Sequence, residues 1–409
     1  MFTNVIGAFT SLLPKYFIFS SYVPVLIFGF INAGLLYLLS AWVRHAVNFA
    51  LSASQGLTIT VAFVATIVAA YVVASVNDFL RKTLEGRYRL WPPPPFRNLF
   101  VESEQHRRSV LQRHYQKSRR DRFALEGLIT NCQRALRDAC SNGSSLHPHH
   151  AHYHLESNPA AAVALEALRT TASQPERVDA TVIEPAVTSM VQALTHNDIR
   201  YDDALASDYR DLLALMTIVL SAFTQREYDD AMELATTFGT GTAAPTRMGN
   251  IAEAIQGYAV GLYGLDLNVF FSRLQSYLVK TDDKGYSIVQ DAKTQLDFLV
   301  SCCWFSAAST ILWFVVLVLQ GGYLLIYLAV AVFGPFTTIA AYFLACENYR
   351  AYGEVVRACV DLNRFALLHA LDIPLPMSTR DERRIWGILS RAAVSAIENV
   401  ELSYEHQKP

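Results

Sequence analysis

The sequence predicts an all-α membrane protein: four transmembrane helices in two hairpins, an inserted cytoplasmic helical domain and a helical C-terminal tail. Three observations predict it. Two long apolar stretches, Tyr16–Phe79 and Leu296–Cys346, are almost free of charge, and each is long enough for two spans of about 20 residues. Hydrophobic residues make up 52% of the chain and charged residues only 17%, against about 25% charge in a soluble protein. The segments between and after these stretches repeat apolar residues at helical spacing, and alternating strand patterns are scarce.

The elements divide as follows. Residues 1–15 carry Phe2, Val5, Ile6, Phe9, Leu12 and Leu13 on one face before Pro14, which reads as an interfacial amphipathic helix. No basic stretch precedes the first apolar run, so a cleavable signal is not expected. Residues 16–80 form hairpin 1, with spans at Phe17–Val43 and Leu57–Phe79 and a short loop holding Arg44 and His45. Residues 81–295 form the helical domain, 296–346 form hairpin 2, and 347–409 form the tail. Only Gln320, Gly321 and Gly322 separate the last two spans. Gly334-Pro335 is expected to kink the fourth, and Tyr37, Trp42, Tyr71, Trp304, Trp313, Tyr323 and Tyr327 supply aromatic anchors.

Charge sets the expected orientation. The stretch after span 2 is dense in Arg and Lys from Arg81 to Arg122, with few acids. Positive charge beside a span marks the cytoplasmic side. The domain, the tail and both termini are therefore expected in the cytoplasm, and a bacterial inner membrane is the expected bilayer. Arg81, Lys82, Arg87 and Arg89 are the candidate contacts to anionic lipid headgroups. Net charge is −2, so nucleic acid is not an expected partner. The six cysteines form no CxxC pair, and no disulfide framework is expected.

Within the domain, Trp91-Pro92-Pro93-Pro94-Pro95 predicts a stiff spacer that stops the helix leaving span 2. Helices are expected near 101–138, 159–173, 187–196, 201–238, 248–262 and 267–279, with a loop over 141–157. The apolar core of the fourth of these, Leu212–Phe223, is too short to span. After span 4 the helix continues to Leu371, breaks at Pro374 and Pro376, and resumes at Thr379, which caps it in a box with Glu382.

Candidate chemistry is sparse. His147, His149, His150, His152 and His154 offer imidazoles that chelate a divalent metal loosely, but Glu156 is the only nearby acid and the segment reads as a polar loop. No other cofactor is implied. The spans hold few polar groups beyond Asn32, Gln320 and some Ser and Thr, which disfavours an ion-coupled transporter. No phosphate loop, nucleophile elbow or metalloprotease motif occurs, so nothing supports an enzyme.

One set of motifs points further. Pro245-Thr246-Arg247-Met248-Gly249-Asn250 resembles the PTRxGN signature of a family of uncharacterised prokaryotic multi-pass membrane proteins. Glu85-Gly86, Tyr263-Gly264-Leu265-Asp266, Thr294–Leu299, Asp361–Phe365 and Glu382–Trp386 are similar to its other patterns. Arg87 interrupts the family's Glu-Gly-Tyr, and Phe271-Ser272-Arg273-Leu274 stands where Trp-Pro-Arg-Leu is usual. The resemblance implies topology rather than an activity. Read physically, Pro245 turns the chain, Thr246 caps the next helix and Gly249 allows close approach. Arg247, Asn250, Asp266, Asp297, Asp361 and Arg364 are the candidate ligand site or structural polar network, with Asp266 and Asp361 as expected partners of Arg247 or Arg364.

Three roles fit these readings. One is an oligomeric membrane scaffold or effector acting through the helical domain on a cytoplasmic protein partner. The second is an oligomeric channel. The third is a membrane-associated enzyme with a polar pocket near Arg247, Asp266 and Asp297.

Overall fold

A computed structural model describes residues 14–88, 92–142, 166, 203–239, 241–320 and 324–394. Every element among them is helical. In chain order these are α1 (Lys15–Leu39), α2 (Ala41–Ala53), α3 (Gln55–Leu84), α4 (Pro94–Asn142), α5 (Asp203–Thr237), α6 (Arg247–Tyr263), α7 (Leu267–Thr281), α8 (Asp283–Gln320), α9 (Leu324–Ala370) and α10 (Thr379–Val394). The interfacial helix, the His tract, Arg89 and the helices expected near 159–173 and 187–196 lie outside the described residues, apart from a helical Glu166.

Four helices are long and apolar enough to cross a membrane: α1, α3, α8 and α9. Only 6%, 6%, 22% and 0% of their most apolar windows is buried in the protein. Phe30, Leu319, Leu324 and Leu325 are each more than 70% exposed. Such continuous apolar surface is costly in water and ordinary against lipid.

The helix boundaries differ from the sequence expectation in several places. The first span ends at Leu39 rather than Val43, because Ser40 turns extended and its hydroxyl caps α2 at the Val43 N–H, 3.3 Å away. The expected loop holding Arg44 and His45 is thus a helix, α2, with Trp42 and Phe49 about three-quarters exposed.

The proline run does not stop α3. That helix ends earlier, at Gly86, whose positive φ of 70° lets the Arg87 N–H reach back to the Lys82 carbonyl at 3.2 Å. The prolines instead start α4, where a missing N–H costs nothing. Likewise α9 ends on left-handed Asp372, ahead of Pro374. Ser378 rather than Thr379 caps α10, its hydroxyl accepting the Asp381 N–H at 3.1 Å.

Inside the spans, polar groups pair across helices of the same chain. The Trp313 indole donates to Asn32 Oδ1 at 2.7 Å, and Asn32 Nδ2 donates to Ser309 Oγ at 2.9 Å. Ser306 bonds Thr337 at 2.7 Å. Trp304 donates to the Leu80 carbonyl at 3.1 Å. Trp304 and Trp313 therefore tie helices together. Gly334 lies against Thr310, where a β-carbon would approach within 2.5 Å, so its role is close helix contact within a continuous α9. In α1 a π-turn over Ile18–Tyr22 precedes Pro24, which has no N–H to give the turn before it. The Ser20 carbonyl there accepts the buried Ser301 hydroxyl at 3.3 Å.

The chain divides into two compact units. Residues 1–105 and 236–409 form one and residues 106–235 the other. Among the described residues of the smaller unit, α4 and α5 form a helix pair. Leu125, Ile129, Met216, Val219 and Phe223 are buried apolar residues of that pair, and Arg122 pairs with Glu227. The core of the larger unit gathers α6, α7, the start of α8, the second half of α9 and α10. Trp386 is fully buried there, edge-on to Phe270 with ring centroids 5.2 Å apart.

Candidate functional site

Two of the motif segments meet at the end of α3. Pro245 breaks the chain, and Thr246 caps α6 by accepting the Gly249 N–H at 3.0 Å. Gly249 then faces the Glu85 backbone: a β-carbon on it would stand 2.1 Å from the Glu85 carbonyl oxygen. From the other side, a β-carbon on Gly86 would lie 2.7 Å from Pro245. The two short motifs, 160 residues apart in sequence, are thus one packed joint.

Asn250 locks the loop. It is 1% exposed, accepts the Ala244 N–H at 2.6 Å and donates to Glu104 at 3.0 Å and to the Thr246 carbonyl at 3.1 Å. Buried amides that make several bonds fix a backbone uniquely.

Arg247 pairs with neither expected partner. Its guanidinium donates to Glu347 at 2.9 Å and lies over the Phe343 ring. Glu347 also takes Arg350, at 3.0 Å. Asp266 is occupied as the cap of α7, accepting the Asn268 N–H at 2.8 Å. Asp361 accepts two phenols, Tyr258 and Tyr263, each at 2.8 Å. Burial, then the hydrogen bond to Asp361, holds both hydroxyls above the usual tyrosine range. Arg364 pairs with Glu382 at 2.9 Å and lies 4.2 Å from the Tyr263 ring centroid. Asp297 stands 3.8 Å from Arg81. Arg247, Asp266 and Asp297 thus have separate partners and form no common pocket, because each lies within reach of a different helix end.

The hub that the sequence reading passed over is Glu85. It is 2% exposed, yet two guanidinium groups and a phenol converge on it: Arg87 at 2.5 Å, Arg81 at 3.4 Å and the Tyr349 hydroxyl at 2.7 Å. A carboxylate so deeply placed is tolerated only with such compensation. Beside it opens a cleft of about 250 Å³. Asp78, Arg81, Lys82, Arg87, Gln256 and Asn268 give it a polar side; Ala252, Ile255, Leu267, Phe271 and Val356 give it an apolar one.

Signals for these residues existed. Glu85-Gly86 already stood out as a motif, and Glu347, Tyr349 and Arg350 follow the last apolar residue of the fourth span at helical spacing. Tyr263-Gly264-Leu265-Asp266 also resolves into separate duties. Tyr263 holds Asp361, left-handed Gly264 fits against the Arg383 backbone, Leu265 is buried and Asp266 caps. Among the described residues no group of His, Cys, Asp and Glu could hold a metal ion.

Compared with known proteins, the chain matches no family model, no curated protein and no solved structure.

Proposed function

We propose that the chain is a multi-pass protein of the bacterial inner membrane, with its four spans in two hairpins and the helical domain, tail and both termini on the cytoplasmic side. In this reading it acts as an oligomeric scaffold or effector, and the resemblance to the PTRxGN family is a shared joint rather than a shared chemistry. One observation carries the reading. In the joint, Gly249 is pressed on the Glu85 backbone and Gly86 on the Pro245 ring, and a buried carboxylate with two arginines and a tyrosine seals it. Such a joint ties the end of a span stiffly to the helices outside it. A partner bound to those helices would then be felt by the spans, which is what an effector needs. The basic run beginning at Arg81 supports the orientation.

A channel calls for polar groups facing a pore. Asn32, Ser301, Ser306 and Thr337 instead bond to other spans of the same chain, which favours an anchor. The test combines light scattering of the pure protein in detergent with ion flux in liposomes. A defined oligomer without flux is the expected result; a monomer, or sustained ion flux, overturns the reading.

A further inference from the structure

We infer that the cleft beside Glu85 binds a phosphate ester at its basic mouth, with the carbon part of the ligand against its apolar wall. This goes beyond the scaffold reading and does not depend on it.

The argument begins with charge. Three cations line the cleft, Arg81, Lys82 and Arg87, against two carboxylates, Asp78 and Glu85. Asp297, 3.8 Å from Arg81, is balanced by Lys293, which also acts on Asp78. The set therefore keeps one positive charge in excess.

Geometry says where that excess is offered. Arg81 is drawn inward between Asp78 and Glu85. Arg87 gives its Nε to Glu85, and its side chain is one-third exposed. Lys82 is 42% exposed beside the half-exposed Asp78. A guanidinium fork and an ammonium at one mouth are the donors that a phosphoryl group takes. The Gln256 amide and Asn268 stand at the same mouth, where the start of α7 is already capped by the Asp266 carboxylate, so the donors for an anion are the cations and the Gln256 amide.

The remaining wall is apolar: Ala252, Ile255, Leu267, Phe271 and Val356. A bare phosphate has no use for it, whereas an ester does. At about 250 Å³ the cleft is smaller than the roughly 300–1,000 Å³ of drug-sized sites, which suits a headgroup-sized ligand. It sits where α3 leaves its apolar stretch, so a glycerophospholipid headgroup and a soluble phosphate ester are the two sources of that chemistry.

The experiment uses the full chain. Native mass spectrometry measures binding of phosphatidylglycerol, and thermal unfolding in detergent follows glycerol 3-phosphate and inorganic phosphate. Gln256→Glu puts a negative charge at the mouth without touching the Glu85 contacts, and Lys82→Ala removes one cation. Saturable binding of the lipid, of glycerol 3-phosphate or of both is expected, with an apparent Kd at least tenfold higher in each variant. Lipid binding alone assigns the headgroup as the source; binding of the soluble ester assigns a metabolite. Inorganic phosphate should bind more weakly than either ester. No saturable ester binding overturns the inference, as does binding by both variants equal to that of the unaltered protein.

Discussion

Gly249 stands against Glu85 so closely that a β-carbon there would lie 2.1 Å from the Glu85 carbonyl oxygen. The obstacle is backbone, held by the end of α3, so it cannot rotate away. Gly249→Ala should therefore push α6 off α3 and cost about 1–3 kcal/mol, the usual range for overpacking. Gly261 lies in the same helix with open space where a β-carbon would go. Gly261→Ala should gain up to about 1 kcal/mol from helix propensity. Thermal unfolding of the two variants in detergent should shift in opposite directions. Equal midpoints would mean that the close contact carries no strain.

Glu85 answers two arginines and a tyrosine from a nearly buried position. Glu85→Gln keeps the shape and removes the charge, leaving Arg81 and Arg87 without their buried counter-ion. Breaking a buried pair from one side costs about 3–5 kcal/mol. Tyr349→Phe removes one hydrogen bond to a charged group, worth about 1.5–3 kcal/mol. Chemical denaturation should rank Glu85→Gln as the more damaging. The reverse order would make the tyrosine, rather than the charge cluster, the main support.

What could be read in the sequence follows from the range of the physics involved. The four apolar stretches were legible because a bilayer demands length and apolarity, both local properties of the chain. So was the capping role of Thr246, which needs only a residue three places along the chain. Ion-pair partners were not legible. Arg247 and Glu347 are a hundred residues apart, and Asp361 turned to two phenols that carry no charge to advertise the match. Helix ends were misplaced for a different reason. A glycine at positive φ stops a helix before the prolines that follow it are reached, and the proline run then serves as a start.

Pro24 and Ser301 should be coupled. Pro24 withholds a backbone N–H from the turn before it, and Ser301 supplies the Ser20 carbonyl with a hydroxyl donor at 3.3 Å. Ser301→Ala alone should cost on the order of 0.6–2 kcal/mol, as hydrogen bonds between membrane helices do. In a Pro24→Ala background the helix can supply its own N–H, and the cost of Ser301→Ala should shrink. A double-mutant cycle on thermal unfolding reads this directly. Strictly additive effects would show that Ser301 stabilises the bundle by packing alone.

Asp361 should control how its two tyrosines titrate. Burial raises both hydroxyls, and the bonds to the Asp361 carboxylate raise them further, since ionising either would set two negative charges side by side. The folded pKa lies above the unfolded one, near 10 for a tyrosine. Below that value neither state loses the proton, and the stabilisation is fully present. Above it the unfolded chain ionises first, so stability falls as pH rises toward the folded pKa. Asp361→Asn removes the charge while keeping an acceptor. In an ultraviolet alkaline titration, Tyr258 and Tyr263 should then ionise at lower pH than in the unaltered protein. The variant should also lose less stability with rising pH above 10. Superimposable titrations of the two proteins would show that burial alone, and not Asp361, holds the phenols neutral.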